Sequence, residues 1–186
     1  HRSLAEAFTA SLVEQAKAVE PNYPDIAQGH IGPFIFPPQA DKVQAQIDAA
    51  VAAGAKVLAG GKVEVLGGGK YLRPTVLVDV TPQMSIVADE TFGPVIPVTI
   101  YDTIDEAVRL ANDTSYGLSA AIITGDPERG MALAERIQSG IVHVNDSTVH
   151  DEPHAPFGGI KGSGLGRHGG RAAIEAFTEI RWVSLQ

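Results

Sequence analysis

Leu118-Ser119-Ala120-Ala121-Ile122-Ile123-Thr124-Gly125-Asp126-Pro127, followed downstream by Gly140-Ile141-Val142-His143-Val144-Asn145, is the stretch that decides the fold. Leu118–Thr124 is rich in apolar residues and reads as a strand. Asp126 is an N-cap, and Pro127 suits the first helical position, where a missing N–H goes unnoticed. The spacing predicts a helix from there to Ser139, stopped by Gly140. Ile141–Asn145 then reads as a second strand. Strands that are apolar on both faces and alternate with helices belong to a parallel sheet covered on both sides. The expected class is therefore α/β, with a mostly parallel sheet covered by helices.

Working outward, Ser3-Leu4-Ala5-Glu6 has capping-box spacing, and Leu4, Phe8, Leu12, Val13, Ala16 and Val19 predict an amphipathic helix over 4–19. The prolines and glycines of 20–38 predict an irregular connection. A helix follows over 39–53, ended by Gly54. Lys56–Ala59 and Thr75–Val78 read as strands, with a turn at Gly67-Gly68-Gly69. Val95–Tyr101 is a strand whose Pro97 argues for an edge or a bulge. Thr103-Ile104-Asp105-Glu106 caps a helix reaching Asn112. Residues 146–169 form a long glycine-rich loop, a feature of functional segments. A short helix over 170–177 leads to a last strand, Glu179–Leu185.

Composition sets bounds. The 186 residues are 44% hydrophobic and 19% charged, which suits a packed globular chain. The formal net charge of −8, with scattered Lys and Arg, argues against nucleic-acid and anionic-membrane partners. No apolar run approaches the roughly 20 residues that span a bilayer, and residues 1–20 do not read as a signal peptide. There is no cysteine, so disulfides and thiolate metal sites are excluded. The chain begins at His1 rather than Met, and it is expected to lie within a larger protein.

Glu90-Thr91-Phe92-Gly93-Pro94-Val95 carries the strongest chemical signal. Gly93-Pro94 bends the chain directly before a strand, so Glu90 and Phe92 lie on a loop entering a sheet. A carboxylate there can accept hydrogen bonds from ribose hydroxyls, and an aromatic ring can pack on a nicotinamide face. On the residues alone, a surface carboxylate and a core ring are the more ordinary reading. The order of motifs goes further. Ile31-Gly32-Pro33 is followed by Gly54-Ala55-Lys56, Gly60-Gly61, Pro74-Thr75-Val76-Leu77 and Phe92-Gly93-Pro94. Leu110-Ala111-Asn112, Tyr116-Gly117-Leu118 and Val144-Asn145 come next. Pro156-Phe157-Gly158-Gly159-Ile160-Lys161-Gly162-Ser163-Gly164-Leu165-Gly166-Arg167 and Phe177-Thr178-Glu179 close the series. In this order they resemble the C-terminal part of the catalytic domain of NAD(P)-dependent aldehyde dehydrogenases.

The resemblance implies that Glu90 holds the nicotinamide ribose, that Phe92 flanks the nicotinamide and that Leu118 lines the same end of an NAD or NADP cofactor. Asp89 in the first acidic position departs mildly from the family pattern. Gln39 and Lys42 resemble the pair that reaches the ribose from the other side; a solvated helix face fits them as well. In the family a cysteine thiolate adds to the aldehyde, hydride passes to the nicotinamide, and a glutamate-activated water releases the acid. The cysteine, the glutamate and the oxyanion asparagine lie N-terminal to the match for His1, as does the cofactor-binding domain. Residues 1–177 are therefore expected to be a catalytic-domain portion holding no catalytic residue and inactive alone. Residues 178–186 are expected to be a strand that joins a neighbouring subunit in a homo-oligomer, a dimer or tetramer. A cytoplasmic location goes with the resemblance.

Thr148-Val149-His150-Asp151-Glu152 resembles the branch acting on aromatic aldehydes, the benzaldehyde, salicylaldehyde and vanillin dehydrogenases. Thr148, His150 and Phe157 are the candidate pocket residues, with a solvated loop and a core ring as the alternative. Gly162-Ser163-Gly164-Leu165-Gly166 lacks the strand, helix and acid of a dinucleotide fingerprint and is expected to be a packing loop. His143, His150 and His154 fit no common zinc spacing, and no metal is expected. Two other classes remain open. A non-catalytic α/β association domain predicts no cofactor pocket around Glu90 and Phe92. A phosphotransferase or hydrolase needs a nucleophile elbow or Walker-type loop, and the sequence has neither.

Overall fold

A computed structural model describes residues 1–186. The chain packs as two compact units, His1–Thr103 and Ile104–Gln186.

In the first unit, helix α1 spans Ala5–Ala18 after a short 3-10 turn at Arg2–Leu4. The expected box at Ser3 and Glu6 does not form. Instead Ser3 N donates to His1 Nδ1 at 3.2 Å, and α1 starts behind Leu4 without a side-chain cap. A local side-chain bond has won over the helix cap. Helix α2 covers Pro37–Ala52, earlier than expected, because Pro37 and Pro38 occupy the first turn, where no N–H is needed.

Strands β1 (Lys56–Ala59), β2 (Val63–Leu66), β3 (Gly69–Leu72), β4 (Thr75–Val78) and β5 (Val95–Pro97) follow, with the one-turn helix α3 (Ser85–Ala88) before β5. The order β1-β4-β5 puts β4 at the centre, antiparallel to β1 and parallel to β5. Val76 and Leu77 are fully buried on opposite faces of β4. Val76 packs with Ala16 of α1 and Ala59, whereas Leu77 packs with Val43 and Ile47 of α2, Leu72 and Ile86. A central strand buried on both sides needs apolar residues at both phases of its alternation, which Thr75-Val76-Leu77-Val78 provides. Pro97 ends β5 at the sheet edge, where a residue without N–H is tolerated.

In the second unit, α4 is Ile104–Asn112, β6 Ser119–Ile122, α5 Pro127–Ala134, β7 Ile141–Val144 and α6 Gly170–Ala176. β6 and β7 pair in parallel, from Ser119↔Ile141 to Ile122↔Val144, so the crossover unit stands as read. Asp126 accepts from Arg129 N at 3.1 Å. α5 stops short of Ser139 because its end tightens into i→i+3 bonds, Arg136 N to Leu133 O and Ile137 N to Ala134 O. The side chain of Asn112 then holds that end: Nδ2 donates to Arg136 O at 2.9 Å, and Oδ1 accepts from Gln138 N at 2.8 Å.

The α/β class is as expected, but the sheets are mixed rather than mostly parallel: two of the four pairings are antiparallel. The β2–β3 hairpin is one. Its turn residues Gly67 and Gly68 have φ of +56° and +86°, the left-handed pair of a two-residue hairpin, and so short a connection joins only antiparallel strands. Glu179–Leu185, read as a strand, pairs with nothing in the chain. A strand is defined by its partner, and Ile180, Trp182, Val183 and Leu185 stand exposed.

Candidate functional site

In the first unit the loop between α3 and β5 is fixed from below and from the side. Thr75 N of β4 donates to Pro94 O at 2.8 Å. A side chain at Gly93 would press against Val43, so the loop lies directly on α2. Gln39 of α2 donates through Nε2 to Thr91 O at 2.6 Å. Gln39 therefore braces the loop, with its own Oε1 left to accept. Lys42 lies one turn on along the same face of α2, exposed.

The brace matters because of what it presents. Phe92 has φ of +46° and the residue is 71% exposed. A left-handed phenylalanine costs conformational energy, and an exposed ring forgoes burial. The loop thus holds an apolar face out at a cost. Glu90 is exposed beside it. A cavity of about 500 Å³ runs from Phe92 and Gly93 past Gln39 and Leu72 to Phe34 and Phe36. A planar heteroaromatic ring suits the Phe92 face, and a carboxylate suits a sugar diol, so the residues fit a nicotinamide riboside.

In the second unit Leu118 is 41% exposed directly before β6. The glycine-rich loop returns to the same place. Ile160 N donates to Gly117 O and Gly162 N to Ser115 O, while Ser163 Oγ accepts from Gly117 N. A side chain at Gly140 would lie 1.9 Å from Gly158 O. Residues 158–163 are thus packed on backbone, whereas Leu165 is exposed and a side chain at Gly164 or Gly166 would meet nothing, so the packing expected of residues 162–166 is present only at their start. Lys161 Nζ donates to Asn112 O and Thr114 O, covering the carbonyl end of α4.

His150 and Phe157 meet around a cavity of about 390 Å³, floored by Ile141 and Val142. Phe157 is pinned by reciprocal bonds with His168, Phe157 N to His168 O at 2.8 Å and His168 N to Phe157 O at 2.9 Å, and its ring leans on the His168 ring. Thr148 does not line this cavity; it is exposed, and its carbonyl accepts from Ser119 Oγ at 3.0 Å.

Sequence reasoning missed the neighbours of His150. Nδ1 of His150 contacts Asp146 closely, and Nε2 lies 3.4 Å from Glu152 Oε1. Asp146 is also held by Ser147 N at 2.7 Å. These contacts raise the His150 pKa, Asp146 foremost, and the Ser147 N–H, followed by His150, lowers that of Asp146. The His143 ring stacks parallel to that of His150, its Nε2 buried without a partner. Residues 146–150 form no helix, so their spacing gave no signal of this contact. No group of three His, Asp or Glu side chains is arranged to hold a metal ion.

Fold and site together define a class: the chain belongs to the aldehyde dehydrogenase family, whose sequence profile matches residues 1–183. Among its relatives are benzaldehyde dehydrogenase [NAD(+)] of Pseudomonas putida, 42% identical over all of this chain and 37% of that protein, and vanillin dehydrogenase of an Amycolatopsis species, 46% identical over all of this chain and 38% of that protein. The aromatic-aldehyde branch implied by Thr148–Glu152 is thus the branch it is similar to. The NAD+ complex of a Bacillus cereus aldehyde dehydrogenase superposes over the whole chain and 38% of that structure, with a TM-score of 0.93 and 36% identity. The chain spans well under half the length of these relatives.

Proposed function

We propose that this chain is the part of an NAD+-dependent aldehyde dehydrogenase that holds the nicotinamide end of the cofactor and frames the entrance for an aromatic aldehyde, which the whole protein oxidises to the carboxylic acid. The observation that carries the reading is Phe92, kept exposed in a left-handed conformation on a loop that Gln39 braces. The cavity at Phe92 favours a ligand site over a purely associative α/β domain. The benzaldehyde and vanillin dehydrogenases among the relatives support the substrate class.

In this reading Glu90 accepts hydrogen bonds from the ribose hydroxyls, the Phe92 ring packs on the nicotinamide, and Lys42 completes the α2 side. The cofactor, when bound, supplies the hydride acceptor. Residues 1–177 act as a catalytic-domain portion, and the nucleophilic cysteine comes from outside these 186 residues, which contain none. Residues 178–186 pair with a second copy.

The test is NADH formation followed by absorbance. The complete protein oxidises benzaldehyde with NAD+, the 186-residue chain alone does not, and Glu90→Gln raises the KM for NAD+ on the order of tenfold, as loss of a charge-assisted hydrogen bond requires. Turnover by the isolated chain would refute the division of labour. Failure of the complete protein on every aromatic aldehyde would refute the activity.

A further inference from the structure

The cavity in the second unit has two unlike halves. Ile141, Val142 and the pinned ring of Phe157 make an apolar floor, and Asp146, His150 and Glu152 line the other side. The volume of about 390 Å³ falls within the range of small-molecule sites. A bare aromatic ring would use only the floor.

The two carboxylates differ in how much of their bonding is committed. Asp146 is engaged by both Ser147 N and His150 Nδ1. Glu152 has only long contacts, 3.4 Å to His150 Nε2 and 3.8 Å to His154 Nδ1. A carboxylate offers about four lone-pair positions, so Glu152 keeps acceptor capacity at the cavity wall. Asp151 also lines the cavity. Three carboxylates, Asp146, Asp151 and Glu152, therefore share the lining with two imidazoles, His143 and His150, and the wall is net negative whatever the charge on the two rings.

We propose that Asp146, His150 and Glu152 form a specificity-determining wall that selects aromatic aldehydes bearing a ring hydroxyl over the unsubstituted ring, and rejects those bearing a ring carboxylate. This rests on the reading above that the cavity belongs to the aldehyde entrance. The hydroxyl donates to Glu152, a charge-assisted bond that the bare ring lacks. Asp146 fixes the His150 ring, whose Nε2 lies 3.4 Å from Glu152 Oε1. A carboxylated ring meets like charge.

The test compares benzaldehyde, 4-hydroxybenzaldehyde and 4-carboxybenzaldehyde as substrates of the complete protein with NAD+, with the Kd of each aldehyde measured calorimetrically in parallel. The hydroxyl-bearing aldehyde is expected to exceed benzaldehyde in kcat/KM on the order of tenfold, with the carboxylated one lowest. In Glu152→Ala the hydroxyl-to-bare ratio falls towards one. Val149→Ala, an exposed residue of the same loop outside the cavity, keeps the original ratio. A natural protein without hydroxyl preference, or a ratio unchanged by Glu152→Ala, overturns the inference. If no aldehyde is oxidised, the dehydrogenase reading is what fails, and the ratio of Kd values decides the wall on its own.

Discussion

Gln39 occupies a position where one hydrogen bond decides whether a larger feature exists. Its Nε2 holds Thr91 O at 2.6 Å, and the next residue is the left-handed Phe92. Gln39→Ala removes the brace. The expected outcome is a stability loss of about 1 kcal/mol in denaturant unfolding together with a raised KM for NAD+. An unchanged KM would mean the loop holds itself. His150 offers a second test. Its pKa is raised chiefly by Asp146, so its contribution to stability is fully present below the ordinary imidazole value of about 6.5 and is lost as pH rises through the raised folded value. The pKa of Asp146 is lowered, first by Ser147 N and then by His150. Its contribution is present above about 3.9 and is lost as pH falls through the lowered folded value. The pair is therefore strongest between about 4 and 6.5 and fades on both sides. An NMR titration should give His150 a higher pKa in the natural protein than in Asp146→Asn, and equal values would deny the coupling.

Among the elements, α5 and the strands beside it show what a crossover depends on. Asp126→Ala removes the only side-chain cap of α5 and should cost about 1 kcal/mol in thermal or denaturant unfolding. Gly140→Ala drives a methyl group into Gly158 O, a backbone clash that should cost about 3 kcal/mol by the same measurement; a neutral result would show that the glycine-rich loop yields. The start of the crossover helix was legible because it carries its own chemistry, the Asp126 cap and Pro127 in the first turn; its end at Ala134, ahead of the expected stop at Gly140, was not. The β2–β3 hairpin was not, apart from its turn. Val63 packs on the core while Val65, two residues on, faces solvent and Glu64 bonds Arg73, so burial there does not follow the apolar alternation that marks a strand. α3 is a single turn, too short for any periodicity to show. The order of motifs singled out the loop of Glu90 and Phe92, which is the loop that Gln39 braces. The partners of His150 could not be singled out, because a loop has no period to bring Asp146 and Glu152 onto one face.

At the scale of the molecule, the apolar residues of the C-terminal segment need covering. Ile180, Trp182, Val183 and Leu185 are exposed and unpaired, and a free apolar extended segment invites strand addition. Trp182 is the only tryptophan, so its fluorescence reports on this segment alone. Association through residues 178–186 should move the emission to shorter wavelength as concentration rises, in step with an increased sedimentation coefficient. A monomer with constant emission at all concentrations would remove the segment from any assembly role.

Asn112 links the end of α4 to the end of α5 through both halves of its amide, and that gives the protein a way to age. Deamidation to aspartate would replace the Nδ2 donor with a second, charged acceptor facing Arg136 O, turning an attraction into a repulsion, and the isoaspartate formed by the same succinimide route would also lengthen the main chain at the end of α4. Old molecules would then differ from new ones by a loosened junction between two helices, a wear mark written by chemistry rather than by mutation.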